Sequence, residues 1–259
     1  MCHPTLALNN LIAKTIATPL EQAQVMLEIG KLFFKPGCMG SEAARIAAQQ
    51  GSPRVATFEM GYSNWIDEQN RHIRELRTAL QAHVSENELR ILVDSGMRHY
   101  YDLFRMKADA AKADVFYLMS GMWKTPTERF FLWIGGFRPS ELLKVLTPQL
   151  DPLSEQQIGA VYNLQVSSQQ FEDALYQGIA KFSANSCRIS SNRSLRCGKL
   201  QIADGNCNGE NLVTFVNQAD HLRQQTLKQM SRILTTRQAA RGLLALGDYF
   251  QPGAEPRED

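Results

Sequence analysis

Apolar side chains recur every three or four residues along most of the chain, which is the spacing of one buried face of an α-helix. The clearest run starts at Phe58 and continues to Val84, with a single polar position at Gln69. Charged residues, among them Asp67 and Arg71, occupy the opposite face. The pattern predicts a long helix with one side in the core and the other in water. Its apolar positions are Phe58, Tyr62, Trp65, Ile73, Leu76, Leu80 and Val84.

Two segments carry the residue pattern of a capping box, which starts a helix. Ser85 is followed three residues later by Glu88, and Ser154 is followed in the same way by Gln157. In such a box each side chain binds the backbone amide of the other residue. The two boxes predict helices that begin directly after Ser85 and Ser154.

A third start signal precedes the most apolar segment of the chain. Thr125 is followed by Pro126 at the first helical position and by Glu128 at the third, an order typical of a helix N-terminus. The helix predicted after it is RFFLWI, residues 129–134. Because this segment is apolar nearly all round, we expect it at the centre of the core, and we interpret Gly135 and Gly136 as its end.

Residues 183–211 interrupt the helical pattern, since they are rich in Ser, Asn and Gly and show no sustained period. We interpret them as one long surface loop. After it, an apolar face from about Leu212 to Phe250 predicts a last helix with a kink near Thr235. No segment alternates with a period of two for long enough to form a strand. The sequence thus predicts an all-α fold, a bundle of six or seven helices with one long loop at about 183–211.

The pattern also divides the chain into three parts. Residues 1–57 have a broken apolar pattern, and we expect an N-terminal arm there that is either a short helix or disordered. Residues 58–250 form the helical domain. Residues 251–259 form a tail that we expect to be disordered.

Composition narrows the functional classes. Of the 259 residues, 28 are Lys or Arg and 26 are Asp or Glu, so the net charge is +2. A stand-alone nucleic-acid binder usually carries a clear basic excess, and this balance argues against one. No run approaches the roughly 18–20 uncharged apolar residues of a membrane span. The first residues lack the basic start of a signal peptide, and the cysteine count of five is odd, so we expect a reducing compartment, cytosol or nucleus.

Enzyme motifs are missing from the sequence: there is no G-x-S-x-G, H-E-x-x-H, Walker-type or G-x-G-x-x-G pattern. We therefore expect no enzymatic activity. Cys187, Cys197 and Cys207 follow one another at equal intervals of ten residues, which is not a zinc-binding pattern. We interpret them as free thiols in the loop or, alternatively, as redox-responsive thiols.

Histidines and basic residues are the remaining candidates for a site. We interpret His99 and His221 as hydrogen-bonded packing residues, with a ligand role as the alternative. Five basic residues of the last helix form either a solvated face or a surface for phosphate or an acidic partner. They are Arg223, Lys228, Arg232, Arg237 and Arg241.

Three long segments, in order along the chain, carry a family resemblance. The first is DVFYLMSGMWKTPTERFFLWIGGFRPSELLKVL, residues 114–146. The others are NLQVSSQQFEDALYQG, residues 163–178, and NQADHLRQQTLKQMSRILTTRQAARGLLALGDYF, residues 217–250. These segments resemble the C-terminal DELAY OF GERMINATION domain of plant TGA-type bZIP transcription factors. The resemblance covers residues 58–182 and 212–250.

This resemblance implies a transcription regulator in the nucleus. Members of the family bind TGACG-type DNA as dimers through a basic region and a leucine zipper, and their C-terminal domain is a protein-interaction and regulatory module. The implied partners are other TGA-type factors or a second copy of this chain, ankyrin-repeat co-activators of the NONEXPRESSOR type, and plant glutaredoxins. We expect no cofactor and no membrane contact.

The N-terminal part departs from the family pattern. A bZIP basic region is a helix with many Lys and Arg residues, including an Asn and an Arg placed to enter the major groove. Residues 1–57 contain no such run, and only residues 43–51 faintly resemble the end of the family's zipper. We therefore expect the chain to lack the basic region and most of the zipper, and to bind specific DNA little or not at all alone. An alternative start, a splice form or a faulty gene model would each account for this.

A second hypothesis comes from the apolar segment at residues 130–134. A helical core around it would enclose an apolar small molecule or haem near Trp123, Trp133, His99 or His221. The domain would then be a small-molecule or haem sensor.

Overall fold

The computed structural model describes residues 53–121, 123–124, 132–193 and 201–249. Within this part of the chain the residues are mostly helical and no strand is present, so the predicted all-α fold is confirmed. Seven α-helices and one short 3₁₀ helix follow one another in the described residues. They are α1 (Pro53–Gln81), α2 (Glu86–Ala113), α3 (Val115–Ser120), α4 (Pro139–Leu146), the 3₁₀ helix (Thr147–Leu150), α5 (Glu155–Arg193), α6 (Gln201–Ile233) and α7 (Thr236–Tyr249).

The predicted amphipathic helix is α1, which begins at Pro53 and therefore ahead of the predicted domain boundary. Its apolar face packs against α2 and α7 around a shared core. Trp65 and Leu76 are buried in this core, as the spacing predicts. The polar position within the face, Gln69, is buried as well, and its Nε2 donates a hydrogen bond to Tyr100 Oη at 2.9 Å.

Both predicted capping boxes are present. Ahead of α2, the backbone amide of Glu88 donates to Ser85 Oγ at 3.3 Å, and the amide of Ser85 donates to Glu88 Oε2 at 3.0 Å. Ahead of α5, the amide of Gln157 donates to Ser154 Oγ at 3.2 Å, and the amide of Ser154 donates to Gln157 Oε1 at 3.0 Å. The two helix starts are therefore confirmed together with their chemistry.

The kink predicted near Thr235 is a complete break between α6 and α7. The amide of Gln238 donates to Thr235 Oγ1 at 3.3 Å, and the amide of Thr235 donates to Gln238 Oε1 at 3.0 Å. This reciprocal pair repeats the capping-box arrangement and starts α7 as a new helix.

The long loop predicted at 183–211 is wrong for most of its length. Helix α5 continues to Arg193, and α6 already begins at Gln201; residues 194–200 lie outside the described residues. Ser, Asn and Gly have low helix propensity, but the segment contains no proline that would stop a helix. Extending a helix that already exists also costs far less free energy than starting one. The amino-acid composition of this segment therefore predicted a loop where the helices continue.

The helix predicted for RFFLWI is wrong over its described part, and residues 129–131 lie outside the description. Trp133 and Gly136 instead close a tight turn, in which the Trp133 amide donates to Gly136 O at 2.7 Å and the Gly136 amide donates to Trp133 O at 3.1 Å. The two central residues, Ile134 and Gly135, have φ values of 44° and 69°, as in a type I′ turn. Gly135 thus serves a turn and does not end a helix. The apolar side chains are nevertheless buried as expected, because Trp133 and Ile134 are 8% and 2% exposed.

The core lies within one compact unit, which contains the described residues up to 180 and those of 201–249. The end of α5, from Lys181, belongs to a second unit. Among the described helices, none combines the length and the apolar character that a membrane crossing requires. The predicted N-terminal arm up to residue 52 and the predicted tail at 251–259 lie outside the described residues.

Candidate functional site

Three charged side chains are buried together between α2 and α6. Lys107 of α2 and Asp220 and Arg223 of α6 are 1%, 4% and 0% exposed. Lys107 Nζ donates to Asp220 Oδ1 at 2.5 Å, and Arg223 Nη1 donates to the same oxygen at 2.5 Å. Asp220 Oδ2 has no hydrogen-bond partner among the described residues. We call these three side chains the buried charge cluster.

The buried charge cluster holds two cations and one anion. Burial lowers the pKa of Lys107 to about 7; the carboxylate of Asp220 opposes this shift, and the positive charge of Arg223 adds to it. Burial likewise lowers the pKa of Arg223, against the attraction of Asp220. A buried excess charge is unfavourable unless a counter-ion or the loss of a proton balances it. The carboxylate of Glu172, which is 1% exposed, also attracts Arg223 and adds negative charge beside the cluster.

Arg223 also holds the tight turn between Trp133 and Gly136. Its Nε donates to Phe137 O at 2.7 Å, and its Nη2 donates to Trp133 O and, at 3.2 Å, to Ile134 O. The guanidinium lies 5.2 Å from the ring centroid of Trp133 and 5.6 Å from that of Phe137. A Cβ atom at Gly136 would lie 2.8 Å from Arg223 Cζ, so a glycine is needed for this close approach.

A cavity of about 600 Å³ adjoins the buried charge cluster and runs along α1. Five of its lining residues are basic, and none of the described lining residues is Asp or Glu. The basic residues are Arg74, Arg77, Lys107, Lys124 and Arg223. Its walls are otherwise rich in aromatic rings, from Tyr62, Trp65, Tyr100, Phe104, Trp123 and Phe137. Such a combination suits a small molecule with an apolar body and a negative group.

The predicted histidine sites lie elsewhere. The ring of His99 stacks on Trp65 with 4.6 Å between centroids, and its Nε2 lies 3.0 Å from Trp65 O. Burial, reinforced by His72, lowers the pKa of His99. His221 is exposed on α6, and neither histidine lines the cavity. His99 thus has the contacts of a packing residue, and His221 does not line the cavity. Trp123, which the same hypothesis named, does line it.

The basic residues predicted to share one face do not do so. Arg223 is fully buried, so its placement on a solvated or partner-binding face is wrong. Arg232 and Lys228 are exposed. Arg237 Nη1 lies 3.5 Å from His83 Nδ1, in the connection between α1 and α2. Arg241 Nη1 donates to the backbone carbonyl of Asp151 at 2.7 Å. A partner role for the three outer arginines stays a prediction.

The cysteine predictions fall on side chains that lie outside the described residues. Cys187 and Cys207 belong to the helical backbone of α5 and α6, and Cys197 lies outside the described residues. Among the described side chains, no group of three or more His, Cys, Asp or Glu residues could hold a metal ion.

Sequence reasoning missed Lys107 and Asp220 and misplaced Arg223, although a signal was present. Arg223 lies four residues after the buried Ala219 and four before the buried Leu227, which puts it on the apolar face of α6. A charged residue at such a position, with an aspartate three residues before it, indicates a buried ion pair. The third member, Lys107, lies 113 residues before Asp220 in the sequence, so only the folded structure shows that the two are in contact.

Comparison with known proteins matches residues 72–148, which include Lys107, to the DOG1 family, described as seed dormancy control. The chain is 61% identical over 201 residues to transcription factor TGA3 of Arabidopsis thaliana, covering 76% of this chain and 52% of the relative. It is 55% identical over 238 residues to the TGACG-sequence-specific DNA-binding protein TGA-1A of Nicotiana tabacum, covering 90% and 66%.

Transcription factor TGA2.2 of Oryza sativa subsp. japonica is similar over a larger share of its own length. The identity is 48% over 244 residues, which cover 90% of this chain and 72% of the relative. The chain spans about half the length of the first relatives it matches, such as TGA3. With this identity and coverage, the chain belongs to the TGA family of plant transcription factors.

Proposed function

We propose that this chain regulates transcription in the nucleus and that its helical domain is the part that binds other regulatory proteins. The observation that carries the proposal is the 61% identity over 201 residues to a protein named a transcription factor. Because the chain spans about half of that relative, the proposal concerns the helical domain first. The domain offers rigid helices on which a partner surface can be displayed.

Specific DNA binding is proposed to need a basic region from a full-length partner or from sequence beyond this chain. The tobacco relative is named a TGACG-sequence-specific DNA-binding protein. A basic-region helix neutralises many phosphates, and residues 1–57 contain no run of Lys and Arg that would do so. Pairing with another TGA-type factor, or with a second copy that carries such a region, would bring the helical domain to DNA.

An exposed apolar stripe on α5 supports a role in protein contacts. Ile158, Tyr162 and Val166 follow one another at intervals of four residues, so they share one side of the helix. They are 52%, 63% and 38% exposed. Exposed apolar patches on a domain mark interaction sites. We assign this α5 stripe to an ankyrin-repeat co-activator of the NONEXPRESSOR type, and we propose plant glutaredoxins as further partners of the domain.

In a mobility-shift assay at physiological salt, we expect this chain alone to give little or no specific shift with TGACG-containing DNA. The reason is that affinity for DNA comes largely from phosphate contacts, which need a cluster of cations. The tobacco relative serves as the positive control, and DNA with a scrambled TGACG element serves as the negative control. Tight binding that depends on the TGACG element would overturn this part of the proposal.

A second candidate function is the binding of a small molecule by the helical core. The observation that favours it is the cavity beside the buried charge cluster, which Trp123 lines as the sensor hypothesis expects. Haem ligation by His99 or His221 receives no support from that cavity, because neither residue lines it. We therefore propose a ligand that is held by aromatic walls and basic side chains.

A further inference from the structure

Two buried cations, Lys107 and Arg223, line the inner end of the cavity and share one oxygen of Asp220. Arg223 already uses its guanidinium on Asp220 and on three backbone carbonyl groups. Lys107 has three N–H donors, and it donates to Asp220 Oδ1, which also accepts from Arg223. Lys107 lines the cavity, and its ammonium has no acceptor other than Asp220 among the described residues.

Groups of both signs face Lys107. Asp220 and Arg223 face it from α6, and Lys124 faces it from the segment after α3. Lys124 lines the same cavity, with its Nζ 4.7 Å from the ring centroid of Trp123. Coulomb attraction is strong where water is largely excluded, so a negative group at this end would be drawn to Lys107.

The walls of the cavity indicate what the negative group is attached to. Six aromatic rings line a space of about 600 Å³, which is in the range of small-molecule pockets. Aromatic rings pack favourably against other rings in edge-to-face and offset geometries. The rings of Trp65 and Trp123 each contact Tyr62, with centroids 6.0 and 4.6 Å from it, so the three form one aromatic wall.

We propose that the inner end of this cavity binds the negative group of an aromatic acid, with Lys107 as its charged partner. The proposal rests on the second candidate function and names its ligand class. The carboxylate accepts hydrogen bonds from the free donors of Lys107, and the aromatic body of the acid contacts the ring-lined wall. No bond is formed or broken in this binding.

The pH dependence of anion affinity distinguishes a ligand-binding role of Lys107 from a purely structural one. Lys107 loses its proton as the pH rises through about 7, because burial lowers its pKa. An anion binds the protonated form, so its affinity is full below this pH and falls by about tenfold per pH unit above it. The carboxyl group of an aromatic acid is ionised throughout this range, so the decline reports on Lys107.

Isothermal titration of the full chain with 1-naphthoate, and with the neutral 1-naphthalenemethanol, tests the proposal. At pH 6 we expect the anion to bind about tenfold or more tightly than the neutral compound, because a charge-assisted hydrogen bond is lost with the latter. Between pH 6 and pH 8 the affinity for naphthoate should fall by about tenfold. Lys107→Met should remove both effects, since Asp220 and Arg223 remain a balanced pair in that variant. Lys112→Met, an exposed lysine of the same helix, should remove neither.

Different failures have different meanings. Equal binding of the two compounds by the native chain, or an unchanged preference in Lys107→Met, would overturn the aromatic-acid proposal and leave the cavity as a site for neutral ligands. Binding of neither compound would overturn the second candidate function as well. Lys107→Arg is a further check that does not depend on the methionine variant folding: the preference for the anion should persist and its pH dependence should disappear.

Discussion

Replacing Arg223 with methionine is expected to destabilise the helical domain by about 3–5 kcal/mol, the size measured when one partner of a buried ion pair is removed. Methionine fills a similar volume but donates no hydrogen bond. The carbonyl oxygens of Trp133, Ile134 and Phe137 lose a shared donor, and the turn that they belong to loses its anchor on α6. Trp133 O keeps its hydrogen bond from the Gly136 amide, whereas a buried acceptor that loses its donor carries the desolvation penalty.

Chemical denaturation of the full chain, followed by circular dichroism, measures this effect. Arg232→Met is the matched control, because Arg232 lies on the same helix and is exposed; a change within about 0.5 kcal/mol is expected for it. A stability of Arg223→Met within about 1 kcal/mol of the native chain would contradict the anchoring role of Arg223.

Replacing Asp220 with asparagine is the second change with a large expected effect, again about 3–5 kcal/mol. The substitution keeps the shape of the side chain but removes the carboxylate that the two buried cations Lys107 and Arg223 share. Asp109→Asn is the matched control, since Asp109 is exposed and pairs with the exposed Lys112; exposed pairs contribute about 0–1 kcal/mol.

The pH dependence of the Asp220→Asn effect follows from Lys107. Its folded pKa lies below the unfolded value, so the penalty of the buried ammonium is fully present below about pH 7 and fades as the pH rises above it. Asparagine removes the carboxylate that opposes this shift. The loss of stability in Asp220→Asn should therefore be larger at pH 6 than at pH 9, and adding Lys107→Met should restore part of it. A loss that is independent of pH and of Lys107 would contradict this account of the cluster.

Local patterns predicted most of the helices, because the physics that starts and orients them is local. The two serine capping boxes and the apolar face through Trp65 and Leu76 depend on residues within a few positions of one another. The helix predicted around Trp133 was wrong for a physical reason, because an apolar run is equally compatible with a buried helix and a buried turn. The contact that selects the turn comes from Arg223, on a distant helix.

The candidate site was the part that the sequence revealed least. A charged residue is assigned to the surface unless its partner is known, and the partners Lys107 and Asp220 are 113 residues apart. The family resemblance indicated the biological role but not the cavity. Its basic and aromatic lining comes from α1, α2, α6 and the segments around Lys124 and Gly136, which only the folded chain brings together.

The helical domain is proposed to bind a co-activator through the α5 stripe, and a pull-down with an immobilised NONEXPRESSOR-type ankyrin-repeat protein tests this most directly. Tyr162→Ala removes an aromatic side chain from the stripe. Phe171→Ala is the matched control, because Phe171 is equally exposed, at 63%, but lies half a rotation away on the same helix.

We predict that the full chain and a chain without residues 1–52 are captured equally, since the contact lies in the helical domain. Tyr162→Ala should reduce the affinity about tenfold or more, the effect of losing one aromatic anchor at an interface, and Phe171→Ala should not. Loss of capture when residues 1–52 are removed, or equal capture of Tyr162→Ala and the native chain, would contradict the account.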